Sequence, residues 1–169
     1  MRPRYHPPLL DRAQEVLELS PQSHVLDLGA GTGRLTRELV RRFDSVVAVE
    51  PDDAMRALID AGSVLAGSAE AIPLDDHGIE AVFVGEAFHW FDLARALPEM
   101  ARVLAPRGGL AIVGVEWWEA RPPLPAEALD RLGELYERCG GAVSVDWDAF
   151  ATSSFEPRAA GTRIRTRRG

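Results

Sequence analysis

The stretch Val25-Leu26-Asp27-Leu28-Gly29-Ala30-Gly31-Thr32-Gly33 constrains this chain more than any other. Val25, Leu26 and Leu28 form a short apolar run of the kind that makes a buried strand, and glycines then follow at every second position. Leu35, Leu39, Val40 and Phe43 return at helical spacing, so the order is strand, tight glycine loop, helix. Glycine lets backbone approach a ligand closely, and the start of a helix offers N–H groups without intrahelical partners. This arrangement predicts a site for a nucleotide-type cofactor, with backbone at Gly31 passing so close to it that a Cβ would intrude.

Spacing narrows the choice of cofactor. The dinucleotide fingerprint G-x-G-x-x-G requires glycine where this chain has Arg34, because its third glycine falls one place early. Asp27 stands two positions before Gly29, and an acid at a strand's carboxyl end suits a ligand that carries an ammonium group. Both features disfavour a nicotinamide-dependent dehydrogenase.

The rest of the chain alternates in the same way. Met1 to Pro8 read as an irregular arm, and Leu9, Leu10, Ala13, Val16 and Leu17 mark a short amphipathic helix ending near Ser20-Pro21. Ser45 to Val49 form a second buried strand closed by Glu50-Pro51. Asp52 or Asp53 caps a helix carrying Met55, Leu58 and Ile59. Val64 to Ala66 make a third strand and Ala81 to Val84 a fourth. A helix with Leu93, Leu97, Met100, Ala101 and Leu104 follows, and Gly108-Gly109 turn the chain into a strand from Leu110 to Val115. Strands and helices in strict alternation predict an α/β fold, a doubly wound and mostly parallel sheet covered on both faces. Right-handed crossovers gather the strand-end loops at one edge, where open α/β sheets bind ligands.

Composition excludes several functions. The length of 169 residues suits one domain with a sizeable core. A formal charge of −7 argues against a general nucleic-acid binder. All 19 basic residues are arginine, a bias that fits a GC-rich genome. The single Cys139 leaves no internal disulfide and no cysteine-based metal cluster, so no metal is expected. No apolar stretch reaches the ~18 residues of a membrane span and no signal-peptide core is present, which predicts a cytoplasmic protein without a membrane partner.

Three segments carry candidate site residues. Glu50 ends the second strand 23 residues after Asp27, where an acid ~20 residues beyond the loop is the usual ribose contact. The segment Gly67 to Leu74 follows the third strand, and a polar side chain with a free backbone N–H there would read an adenine edge, with Met55 or Ile72 covering the ring. The segment Gly85-Glu86-Ala87-Phe88-His89-Trp90-Phe91-Asp92 is unusually aromatic for a loop. Core packing accounts for Phe88 and Phe91, while His89 is either a base near neutral pH or a hydrogen-bonded structural histidine.

With these segments in order, the chain resembles the class I S-adenosylmethionine (SAM)-dependent methyltransferases, in particular the small-molecule group known as methyltransferase domain 11. The resemblance rests on "RPRYHPPLLD", "VLDLGAGTGRLT", "VVAVEPDDAMRAL", "GSAEAIPL", "EAFHWFD" and "EMARVLAPRGGLAIV", and covers about residues 2–118. It implies a Rossmann-like fold, SAM as cofactor, and methyl transfer to a small-molecule acceptor. Asp27, Gly29, Ala30 and Gly31 then match the methionine-side loop. Glu50 matches the ribose acid, and Pro51 and Met55 are further cofactor-binding candidates, with Met55 or Ile72 covering the adenine ring. Ser68 and Ala69 match the adenine edge, and Glu86 the methionine side again. Ser68 and Glu86 depart from the Asp and Gln common in the family.

The same resemblance implies a terminal antiparallel hairpin and substrate-capping segments, which the residues after Val115 are too few to supply. The expected organisation is therefore a SAM-binding core over 1–118 and an incomplete cap or hairpin region over 119–169. In that region Glu127 to Arg138 read as a helix, and Val143 to Trp147 are ambiguous. Thr162 to Thr166 read as an edge strand or a solvated tail. A strand from Leu110 without its hairpin would be an exposed edge, open to self-association. The rival to an enzyme is a shortened, non-catalytic SAM-binding module.

Overall fold

A computed structural model of the chain describes Tyr5, residues 7–113 and the backbone of the short strand Val143–Ser144. The elements run α1 (Pro7–Val16), β1 (His24–Leu28), α2 (Arg34–Leu39), β2 (Ser45–Glu50), α3 (Asp53–Arg56) and β3 (Ser63–Ala66). They continue with β4 (Ile79–Gly85), a single 3₁₀ turn (Phe88–Trp90), α4 (Leu93–Val103), β5 (Leu104–Val113) and β6 (Val143–Ser144). The sheet order is β3-β2-β1-β4-β5-β6, and every paired neighbour is parallel. This is the doubly wound Rossmann-like architecture expected from the alternation of strands and helices.

Burial explains why the strands read as continuous apolar runs. On β1, Leu26 and Leu28 face a core shared with Leu97, Met100 and Val103 of α4, whereas Val25 faces Leu10 of α1 and Leu35 and Leu39 of α2. On β4, Val82 and Val84 take the first face, while Ala81 and Phe83 take the second. Successive side chains of a strand point to opposite faces, so a sheet packed on both sides needs apolar residues at nearly every position. Asp27 is the polar interruption, and it is fully buried.

Helix starts follow their caps. Asp52, not Asp53, caps α3, its side chain accepting from the Met55 N–H at 2.8 Å. Asp92 caps α4 through the Ala94 N–H at 3.1 Å. Helix α1 starts at Pro7, earlier than the apolar spacing indicated, because proline tolerates the first helical turn, where its missing N–H has no partner to lose.

Two features differ from expectation. Leu104, read as helical, begins β5 and pairs with Ile79, and the next pairing joins Gly109 to Ala81. Ala105 to Gly108 are thus a bulge opposite Glu80, with Arg107 at φ 70°, so the expected turn is absorbed into the strand. The second difference is at the sheet edge, where Val143 and Ser144 pair in parallel with Leu110 and Ala111. Val143 and Ser144, from a stretch ambiguous by sequence, therefore supply a short strand beside β5. The expected helix Glu127 to Arg138, the tail Thr162 to Thr166 and the rest of 119–169 lie outside the described residues.

Among the described residues, no helix is long and apolar enough to cross a membrane. None of their His, Cys, Asp and Glu side chains form a group of three or more that could hold a metal ion.

Candidate functional site

The strand order reverses direction between β1 and β4: the chain winds outward through β2 and β3, then crosses back to β4 and β5. At such a switch point the loops leaving the carboxyl ends diverge and open a crevice. Those loops carry Gly29 to Gly33 after β1, Glu50 and Pro51 after β2, Ser68 and Ala69 after β3, and Glu86 to Phe91 after β4. Apart from Asp27, within β1, and Met55, on α3, the sequence-derived candidates thus lie at strand ends or in loops at one end of the sheet.

The glycine loop is held by its own backbone. Gly29 and Ala30 N–H groups both donate to the Val49 carbonyl, at 2.9 and 3.1 Å, and Gly33 N–H donates to Ala30 O at 2.9 Å. Gly29, Gly31 and Gly33 all have left-handed φ, at 72°, 57° and 76°. Their surroundings differ. A Cβ on Gly29 would lie 2.7 Å from Ala87 Cβ and 3.2 Å from the Phe91 ring, and one on Gly33 would lie 2.9 Å from Ile59 Cγ2. A Cβ on Gly31 would meet nothing within 4 Å. Gly29 and Gly33 are therefore glycines for close packing, whereas Gly31 faces open space, as a loop lying under a ligand must.

This contrast gives a direct test. Gly29→Ala and Gly31→Ala each incur left-handed strain of ~1–2 kcal/mol, and Gly29→Ala adds an overpacking cost of ~1–3 kcal/mol. In denaturant unfolding, Gly29→Ala is expected to be clearly the less stable of the two. Equal losses would show that Gly31 is also packed.

Glu50 is buried at the end of β2 and grips the loop. Its Oε2 accepts from Gly31 N–H at 2.8 Å and its Oε1 from Asp52 N–H at 3.0 Å. Each oxygen keeps lone-pair capacity for a further donor. Asp27 is the second acid: its Oδ2 accepts from the Thr36 hydroxyl at 2.6 Å, while its buried Oδ1 has no hydrogen-bond partner among the described residues. Burial pushes its carboxyl up to about 7, opposed by the Thr36 hydrogen bonds and reinforced by the Glu50 charge.

The other candidates are placed less uniformly. Pro51 is exposed and its carbonyl accepts from Arg56, while Met55 stands about half exposed on α3 at 47%. Ala69 is a core residue, and the Ser68 hydroxyl is engaged by Glu70. Glu86 takes a left-handed φ of 59° and its N–H donates to Val113 O at 3.1 Å. His89 is exposed, with its ring 4.9 Å from that of Trp90, which is itself 80% exposed. Phe88 is core and Phe91 packs partly buried against it, as their core-packing reading required.

Two contributors escaped sequence reading. Tyr5, assigned to an irregular arm, is buried, and a Cβ on Gly85 would lie 2.5 Å from its hydroxyl oxygen. An aromatic side chain inside a proline-flanked arm is the available signal. Thr36, the partner of Asp27, was marked only by being a polar residue between Leu35 and Leu39 on the inward side of α2.

The sheet order, the left-handed glycine loop and the two buried acids beside it describe an α/β domain of Rossmann-like form. A profile of the methyltransferase domain family matches residues 26–112, and the chain belongs to that family. An uncharacterized methyltransferase of Mycobacterium tuberculosis is 44% identical over 146 residues, covering 84% of this chain and 56% of the relative. One from Schizosaccharomyces pombe is 33% identical over 145 residues, covering 83% and 56%. The chain thus spans little more than half the length of these relatives. Among solved structures, that of a putative type II methyltransferase from Anaeromyxobacter dehalogenans is 31% identical with a TM-score of 0.59, covering 68% of this chain and 49% of that one.

Proposed function

We propose that this domain binds SAM in the crevice between β1 and β4 and directs methyl transfer to a small-molecule acceptor. The observation that carries the reading is the pairing of Glu50 with Gly31 at 2.8 Å beneath the open space over that glycine. A carboxylate fixed there by two backbone N–H groups is ready to accept two ribose hydroxyls. The lone Oδ1 of Asp27 fits a cofactor that brings an ammonium group, because a buried acceptor without a donor is costly until one arrives. Ala69 and Ile72 are both buried in the core, so they support the loop after β3 from beneath, and the adenine edge is left to that loop's backbone.

When bound, SAM supplies a methyl group already activated by its sulfonium. The protein's part is then alignment, which alone corresponds to effective molarities of ~10⁵–10⁸ M. Glu50 and the glycine loop fix the nucleoside, so the reacting end is oriented from one side of the crevice. We assign to His89, exposed after β4, the part of base for an acceptor that carries a proton at neutral pH; a carboxylate acceptor needs no base.

Calorimetric titration tests this reading with one sample. SAM and S-adenosylhomocysteine are expected to bind, and NAD is not. Binding of NAD in preference to SAM would overturn it. Labelled SAM with small carboxylates and phenols then separates an enzyme from a non-catalytic SAM-binding module, for which binding would occur without turnover.

A further inference from the structure

We propose that Arg102 of α4 is a positioning residue that sets the geometry of the Gly67–Asp76 loop and so determines selectivity for the adenine base; the inference rests on the SAM-binding reading above. The guanidinium carries five N–H donors in a rigid fork, and all five are used within this chain. Nε donates to Glu99 Oε1 at 2.9 Å, and Nη2 donates to Glu99 Oε2 and to Ile72 O, both at 2.8 Å. Nη1 donates to Leu74 O at 2.7 Å and to Asp76 Oδ1 at 2.8 Å. Arg102 is therefore saturated by its own chain and acts on the loop rather than on a ligand.

The clamp reaches both sides of the loop backbone. Glu99 Oε2 accepts from the Ile72 N–H at 2.9 Å, so the N–H and the carbonyl of one residue are bound by neighbouring side chains of α4. At the other end of that helix, Glu70 Oε1 accepts from the Asp92 N–H at 2.9 Å. Between these anchors the loop turns tightly, with Ala71 N–H donating to Ser68 O at 3.2 Å. The loop itself has a short antiparallel bridge between Ser68 and Ala71, which leaves its path to be set by α4. Backbone groups that read the edge of a base discriminate only if they are held in place, since a site built to hydrogen-bond one group rejects an analogue lacking it.

Arg102→Lys keeps the charge and removes the fork. Two measurements on the full chain test the proposal. In amide hydrogen exchange without ligand, the amides of Ala71, Ile72 and Leu74 are expected to exchange at least about tenfold faster in the variant, a loss of ~1.4 kcal/mol of local protection. In titrations, the wild type is expected to prefer S-adenosylhomocysteine over S-inosylhomocysteine, whose base carries a carbonyl in place of the amino group. In the variant that preference is expected to shrink severalfold. Should Arg102→Lys fail to fold, Glu99→Gln, which keeps the shape and removes the charge, carries the same readouts.

Equal loss of affinity for both ligands, with the preference intact, would overturn the proposal and leave Arg102 as a support of the fold. A wild-type chain that binds S-adenosylhomocysteine but shows no preference between the two bases would also overturn it. A wild type that binds neither ligand would overturn the SAM-binding reading and the proposal together, whatever the exchange data show.

Discussion

Replacing Glu50 with alanine is expected to weaken SAM binding about ten- to a hundredfold, a loss of ~1.4–3 kcal/mol, in a chain that still folds. The carboxylate has two duties. Its oxygens accept from the Gly31 and Asp52 N–H groups at 2.8 and 3.0 Å, which fixes the loop. On the proposed reading their remaining lone pairs accept from the ribose, and hydrogen bonds to a charged group are stronger than neutral ones. Gly31 is partly exposed and Asp52 exposed, so water can take over both N–H groups in the variant and the cost to stability is small. Circular dichroism and calorimetric titration of the same sample check both halves of the expectation. An unchanged dissociation constant in a folded Glu50→Ala chain would remove Glu50 from the site.

The second large effect belongs to Asp27 and is a dependence on pH. Burial raises its carboxyl from an ordinary 3.8 to about 7 in the folded chain, with the Thr36 hydrogen bonds opposing and Glu50 adding to the shift. Between those two values the folded state holds a proton that the unfolded state has released. Stability must therefore fall as pH rises through that window, and it levels off above about 7. At ~1.4 kcal/mol per pH unit the whole window is worth at most ~4 kcal/mol. Asp27→Asn keeps the shape and the acceptor for Thr36 but cannot ionise. Its stability, followed by denaturant unfolding from pH 5 to pH 8, is expected to decline less than that of the wild type. Parallel declines would show that Asp27 is not the group responsible.

An ammonium ligand near Asp27 favours the ionised carboxylate, so SAM binding near pH 7 is expected to release a fraction of a proton. Titrations in buffers of different ionisation enthalpy measure that fraction directly, and Asp27→Asn is expected to abolish it.

Local pattern was enough to locate β1, the glycine loop, β2 and its terminal acid. The apolar runs, the glycine spacing and Glu50 all lie within one short stretch of chain, and their meaning depends on the period of strand and helix. The same patterning made the doubly wound parallel sheet legible, because two-faced burial leaves apolar strands alternating with amphipathic helices. The motifs "VLDLGAGTGRLT" and "VVAVEPDDAMRAL" carried the family resemblance that the match over residues 26–112 bears out.

What the sequence determined by itself is thus the alternation of strands and helices from β1 to β4, the glycine loop between β1 and α2, and the acid that ends β2. Tertiary structure alone decided which glycine packs and which faces open space. A Cβ on Gly29 would meet Ala87 and one on Gly33 would meet Ile59, both distant in sequence, while one on Gly31 would meet nothing within 4 Å. It alone joined Tyr5 to Gly85, and it bound Arg102 to the Leu74 carbonyl across 28 residues. It also set Val143 and Ser144 beside β5 and drew Leu104 into that strand. The physical reason is the range of the determinant. Periodicity and turn chemistry act between neighbours along the chain, whereas burial, a fifth hydrogen bond on an arginine or a missing one on an aspartate exists only after distant segments have packed together.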